Sequence, residues 1–363
     1  MNDYNVWCKW HPLQTVLLGQ PYPVSFFRNI KNDKIKSALT RITEETLEDL
    51  ENYANVLKSY GAEVLRIKLN ENDSIVGEDQ EFKEIPRSPL QPRDTQLVIG
   101  NKLFLTSLDH EAIVKTLKEY NMKDIGLLCK SFKKESYTWA PSITVVGRDV
   151  YVDKRGTENL NQDVLSKFVN DLNLRWHWLD VGGHSDGCFH TLKPGAILSL
   201  EKVQLYNETF PGWDVCYLEG ESWAKVQTFM DMKDKVKGKW FVEGEENNDE
   251  FINFVETWLN DWVGYVQESV FDVNVFMLDE RNVCVSSYNK QAFDFFKKHK
   301  IEATIVPWRH RYFWDGGLHC ITLDLNRKGE MEDYFPERGN NSIVSKSVRG
   351  KNVLMINGSY DYE

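Results

Sequence analysis

The chain predicts an α/β repeat protein on three observations: hairpin-like stretches recur, amphipathic helical segments fill the gaps between them, and a short apolar strand follows the helix. The hairpins are "TQLVIGNKLFLTS" (95–107), "SITVVGRDVYVDK" (142–154) and "NVFMLDERNVCVSS" (274–287). Each has two β-branched or aromatic runs around a tight polar turn, as a hairpin requires. Gly100 and Gly147 lie 47 residues apart, and "KPGAILSL" places Gly195 another 48 along. A hairpin-plus-helix unit repeated at this length implies modules arranged around an axis or stacked in a row.

The elements follow in order. Residues 43–60 carry apolar side chains at helical spacing and stop at Gly61; 161–172 and 290–300 show the same amphipathicity. Strands are expected after them at 62–69, 174–181 and 302–308. Residues 71–94 have little periodicity and three prolines, which predicts a long loop. An acidic, tryptophan-bearing insertion around 221–265 interrupts the spacing. It is expected either as a lid over a site or as a surface excursion whose tryptophans pack down on the body. The whole chain, 1–363, is read as one domain.

Of the 363 residues, 41% are hydrophobic and 13% aromatic, enough for a sizeable core. A formal net charge of −11 opposes binding to phosphate backbones, so nucleic acid is not an expected partner. The six cysteines (8, 129, 188, 216, 284, 320) are scattered with no CxxC pair, which signals neither a zinc site nor a small disulfide framework and fits a reducing compartment. No apolar run approaches the roughly 18 residues that span a bilayer. The expectation is a cytoplasmic protein with no membrane partner, no metal and no cofactor.

Three polar motifs fall where strands end or turn: "PRD" (Pro92, Arg93, Asp94), "GGHSDGCF" (182–189, with Gly183, His184 and Asp186) and "GGLHC" (316–320, with His319 and Cys320). Adjacent glycines permit backbone conformations closed to other residues, so the last motif aims Cys320 into a cavity, as a nucleophile or as a small core residue. On an extended strand His184 and Asp186, two apart, share a face. With Asp94 and Cys320 they form a Cys/His/carboxylate set. Each also has a structural reading: His184 as a core histidine bonded to a carbonyl, Asp94 as a loop cap, Asp186 as a turn residue bonded to its own backbone.

From "WHPLQTVLLGQP" (10–21) through "PRDTQLVIGN", "GHSDGCFHTLKPGAILS", "VNVFMLDERNV" and "DGGLHCITLDLNRKG" (315–329), the chain resembles the amidinotransferases of the pentein superfamily, the group containing glycine amidinotransferase. That resemblance implies a five-bladed α/β propeller of ββαβ repeats around a central channel that holds the site. It implies ping-pong transfer of an amidino group from arginine, or a related guanidino donor, to an amine acceptor. Cys320 is then the nucleophile, His184 the acid and base, and Asp94 and Asp186 the carboxylates that hold the planar guanidinium. Arg93, Gly183 and His319, from the same motifs, are counted with the substrate-binding residues. The implied partners are small molecules, and a homodimer is left open as the assembly.

The pattern departs in two places. "YTWAPSITVVGRD" carries Trp139 and Ser142 where the family has acids, one of which supports the catalytic histidine; Glu135 is the nearest acid. The position of an arginine for the acceptor's carboxylate in glycine-using relatives is Val203, beside Lys202, and a paired-serine position reads Gln267 and Glu268. Lys202 and Glu268 are therefore counted at the acceptor end, and the expected acceptor is an amine or polyol rather than an amino acid. Two other readings remain open. One is a hydrolase of the arginine deiminase or methylarginine hydrolase type; the other is a binding protein without turnover.

Overall fold

Among the described residues five small sheets divide the strands; four are built in one order, an antiparallel hairpin, a helix and a third strand parallel to the middle one, and the first reaches the same arrangement with its outer antiparallel strand supplied from the far end of the chain. The structure is a computed structural model that describes residues 4–69, 87–106, 111–122, 124–130, 138–181, 184–200, 206–218, 240–263, 272–340 and 344–348.

The first blade holds β1 (Leu13–Leu18), α1 (Asp33–Ser59) and β2 (Glu63–Arg66). The second holds β3 (Gln96–Ile99), β4 (Lys102–Leu105), α2 (Glu111–Glu119) and β5 (Ile125–Leu127). In the third are β6 (Ile143–Val146), β7 (Asp149–Asp153), α3 (Gln162–Asp171) and β8 (Arg175–Asp180). A single turn, α4 (Ser185–Cys188), leads to the fourth, with β9 (Phe189–Lys193), β10 (Ala196–Leu200), α5 (Tyr206–Thr209) and β11 (Asp214–Leu218). After α6 (Asp249–Trp258) comes the fifth, with β12 (Phe276–Met277), β13 (Asn282–Val285), α7 (Lys290–Lys298) and β14 (Glu302–Ile305). The chain then makes α8 (Arg311–Trp314) and returns as β15 (Thr322–Arg327), antiparallel to β1, to complete the first blade. A last strand, β16 (Val344–Val348), adds to the edge of the third blade beside β8.

Local chemistry accounts for these boundaries. The hairpin glycines Gly100, Gly147 and Gly195 have φ of 56°, 58° and 85°, the left-handed region that other residues rarely adopt. Helix α1 begins at Asp33 rather than 43, because the Asn32 side chain accepts hydrogen bonds from the backbone N–H groups of Lys34 and Ile35 and caps it there. Its buried face, with Ile35, Leu39, Ile42 and Leu50, joins Phe251 and Val255 of α6 in one core cluster. Trp240 and Trp262 are buried in that cluster, so the described part of the insertion packs against α1.

Near the middle of the ring, Asp324 on β15 lies between two arginines. Arg93, from the turn before β3, donates to one of its oxygens, and Arg327 donates to the other at 2.6 Å. Arg327 also donates to the carbonyls of His11 and Met277, at 2.7 and 2.8 Å. One buried guanidinium thus ties the first blade to the fifth. Among the described residues no helix is long and apolar enough to cross a membrane.

Candidate active site

Each of the five blades presents a side chain from the short segment just before its first strand. Asp94 ends the 3-10 turn Pro92–Asp94 before β3, and Trp139 caps the turn Ala140–Ser142 before β6. His184 caps α4 and Asp186 lies within it, before β9. Asn274 precedes β12, and Cys320 precedes β15. Repetition of the module brings these equivalent segments to one end of the channel.

Asp186 is the hub. Its Oδ2 accepts from His319 Nδ1 at 2.8 Å and from Asn274 Nδ2 at 3.3 Å, and lies 3.7 Å from Cys320 Sγ. Its Oδ1 faces His184 Nδ1 at 3.7 Å, a charge contact longer than a hydrogen bond. Asp186 and Cys320 are 1% and 6% exposed, whereas the His184 side chain is 33% exposed. Among the described residues, the buried atoms Asp94 Oδ1 and Asp186 Oδ1 have no hydrogen-bond partner.

Burial and charge set the protonation states. Burial works against the Asp186 carboxylate, but His184 and His319 outweigh it and hold the group well below the usual carboxylate range. Burial likewise disfavours a charged His184, yet Asp186, Asp94 and Asp315 together hold it above its ordinary value. Asp94 is pushed up to about 6, by burial first and by Asp186 and Asp315, against the pull of His184 and Arg87. Burial and the same three carboxylates push the Cys320 thiol well up. Asp315, with left-handed backbone at φ 53°, is an acid that the sequence reading did not single out.

The structure therefore brings Cys320, His184, Asp94 and Asp186 together. Arg93 and His319, counted with the substrate-binding residues, make hydrogen bonds within the protein. Arg93 Nε donates to the carbonyls of His319 and Thr322 at 2.8 and 2.9 Å, clamping the turn that carries Cys320. His319 is buried, and burial with the charges of Arg93 and Lys9 lowers it to about 3, so a neutral ring donates its Nδ1 proton to ionised Asp186. Gly183, Lys202 and Glu268 lie outside the described residues, as do Glu135, Val203 and Gln267.

Two expectations are corrected. His184 and Asp186 do not share an extended strand: the Gly187 N–H bonds the His184 carbonyl at 3.1 Å and closes a helical turn, which sets the imidazole against the carboxylate. Gly316 and Gly317 are not among the glycines with positive φ; they are small because neighbours press close. A Cβ on Gly316 would lie 2.3 Å from Gln91 Nε2, and one on Gly317 would lie 2.6 Å from Asn274 Oδ1. At the departing position, the Trp139 ring packs edge-to-face on His184 with centroids 4.2 Å apart. It orients the imidazole by packing but brings no charge, so Asp186 and Asp94 supply the electrostatic support.

No family model matches the chain. Over 327 residues it is 22% identical to the L-arginine:L-lysine amidinotransferase of Pseudomonas savastanoi pv. phaseolicola, covering 79% of this chain and 80% of that protein. Over 366 residues it is 21% identical to the mitochondrial glycine amidinotransferase of Xenopus tropicalis, covering 90% and 83%. Among solved structures it superposes on the amidinotransferase of the saxitoxin biosynthetic pathway from Microseira wollei with a TM-score of 0.64 at 18% identity, covering 92% of this chain and 99% of that one. The inosamine-phosphate amidinotransferase of Streptomyces griseus follows at a TM-score of 0.59 and 17% identity, over 91% and 99%. A dimethylarginine dimethylaminohydrolase shares the fold at 0.50 and 12%, over 86% and 99%. Five repeated blades among the described residues give the chain the pentein-like fold of these structures, and its sequence is similar to amidinotransferases along most of its length.

Proposed function

We propose that the chain takes the amidino group from L-arginine, or a related guanidino donor, and passes it to an amine through an amidino adduct on Cys320. The observation that carries this reading is a pair of buried carboxylate oxygens, Asp94 Oδ1 and Asp186 Oδ1, without a hydrogen-bond partner among the described residues, on two carboxylates that both act electrostatically on Cys320. A buried acceptor without a donor is costly, and a guanidinium presents several donors in one plane together with the opposite charge.

The steps balance on this chain's own groups. Cys320 gives its proton to His184 as the cationic donor binds and offsets the surrounding carboxylates. The thiolate attacks the guanidinium carbon and forms a C–S bond. Collapse breaks the C–N bond to the donor's amine, and His184 returns its proton to that leaving nitrogen. In the second half, His184 deprotonates the acceptor amine, which attacks the adduct carbon and expels the thiolate. Water in place of the acceptor gives hydrolysis, so exclusion of water separates the two outcomes.

The test is incubation with labelled arginine alone and with a panel containing glycine, lysine and diamines. Ornithine that appears only with an amine, and a Cys320 adduct with arginine alone, are expected. Citrulline without an amine establishes hydrolysis instead, and binding with neither product establishes a protein without turnover. Glycine working as well as every other amine overturns the expectation that the acceptor end disfavours a carboxylate. Cys320→Ser is expected to abolish adduct and turnover; surviving transfer overturns the nucleophile.

A further inference from the structure

We propose that Asn274 is a further catalytic residue: its side-chain N–H group donates to the Cys320 sulfur and stabilises the thiolate as it forms, while its carbonyl fixes the backbone of the nucleophile's turn. The proposal rests on Cys320 as the nucleophile.

Its geometry leaves little freedom. Asn274 is 2% exposed, and its Oδ1 accepts from the backbone N–H groups of His319 at 3.0 Å and Cys320 at 3.1 Å. Two donors at one end of the carboxamide decide which atom is the oxygen, so the NH2 end must face the other way. There, Nδ2 lies 3.2 Å from Cys320 Sγ and 3.3 Å from Asp186 Oδ2. One side chain therefore orients the sulfur, the backbone beneath it and the carboxylate beside it. The approach depends on Gly317, where a Cβ would sit 2.6 Å from Asn274 Oδ1 and 2.8 Å from Asn274 Cβ.

Chemistry supplies the reason for such a group. The sulfur is buried among Asp186, Asp94 and Asp315, which all oppose a negative charge on it. A neutral donor offsets that repulsion without an ion pair that would compete with a cationic substrate for the same carboxylates. A hydrogen bond strengthens when its acceptor becomes an anion, so the contact favours the thiolate over the thiol.

The test compares wild type with Asn274→Asp, which keeps the acceptor for both backbone N–H groups but puts an oxygen where the N–H pointed, and with Gly317→Ala, which pushes the amide aside. Alkylation of Cys320 by iodoacetamide is followed across pH by peptide mass spectrometry without substrate. Buried Cys284 serves as the internal sign of unfolding. The midpoint for Cys320 is expected to rise by about one to two pH units, the size of a lost hydrogen bond to a charged group. At neutral pH kcat should fall roughly tenfold per unit, by more than KM rises. An unchanged midpoint in whichever variant keeps Cys284 protected overturns the role. Because alkylation needs no turnover, this result is separate from whether Cys320→Ser abolishes transfer.

Discussion

Asp94 combines two demands that conflict. The guanidinium binding proposed for it needs it ionised, while burial raises it from 3.8 to about 6. A carboxyl whose folded value lies above its unfolded one takes up its proton first in the folded state, so stability rises as pH falls from about 6 towards 4. Asp94→Asn is therefore expected to stabilise the protein by up to about 3 kcal/mol above pH 6 and by almost nothing below pH 4, while abolishing guanidinium binding. Urea unfolding at pH 7.5 and pH 4 reads both arms; a variant less stable than wild type at pH 7.5 sinks the argument. This much of the site was legible because Cys320, His184, Asp94 and Asp186 are chemically distinctive and sit in motifs. Asn274 was not, because an asparagine carries no titratable signature. Its register was the missed signal, since it stands two residues before the first strand of its blade, as Asp94 and Cys320 do.

Hairpins were legible because their cause is local. Gly147 must adopt positive φ, and a Cβ there would also lie 2.1 Å from the Glu332 carbonyl oxygen. Gly195 has positive φ with nothing within 4 Å of the same position. Gly195→Ala is thus expected to cost about 1–2 kcal/mol, the strain of left-handed backbone alone. Gly147→Ala should cost about 2–5 kcal/mol, since a backbone clash is added. Equal losses in thermal or chemical denaturation would show that the close approach contributes nothing. The start of α1 escaped the periodicity because a cap, not an apolar stripe, decides it. Strand β16 escaped because pairing with β8 is a tertiary event with no local turn to announce it.

Ring closure was the least readable feature of the whole molecule. It joins Thr15 to Asn326 and Leu18 to Thr322, contacts that no window of sequence contains. The pin beneath them is Asp324 with Arg93 and Arg327, and removing one member leaves buried charge uncompensated. Asp324→Ala is expected to lose about 3–5 kcal/mol, and with it the alignment of the turn that Arg93 clamps. A loss below about 1 kcal/mol in urea titration would mean that the arginines find other partners.

The sulfur of Cys320 stands two residues before the strand that travels back to meet β1. A polypeptide emerging from a ribosome therefore carries Asp94, His184 and Asp186 long before it carries the proposed nucleophile. On the proposed assignment, synthesis interrupted anywhere upstream yields a product chemically inert toward its donor, and reactivity arrives with the same residues that complete the circle.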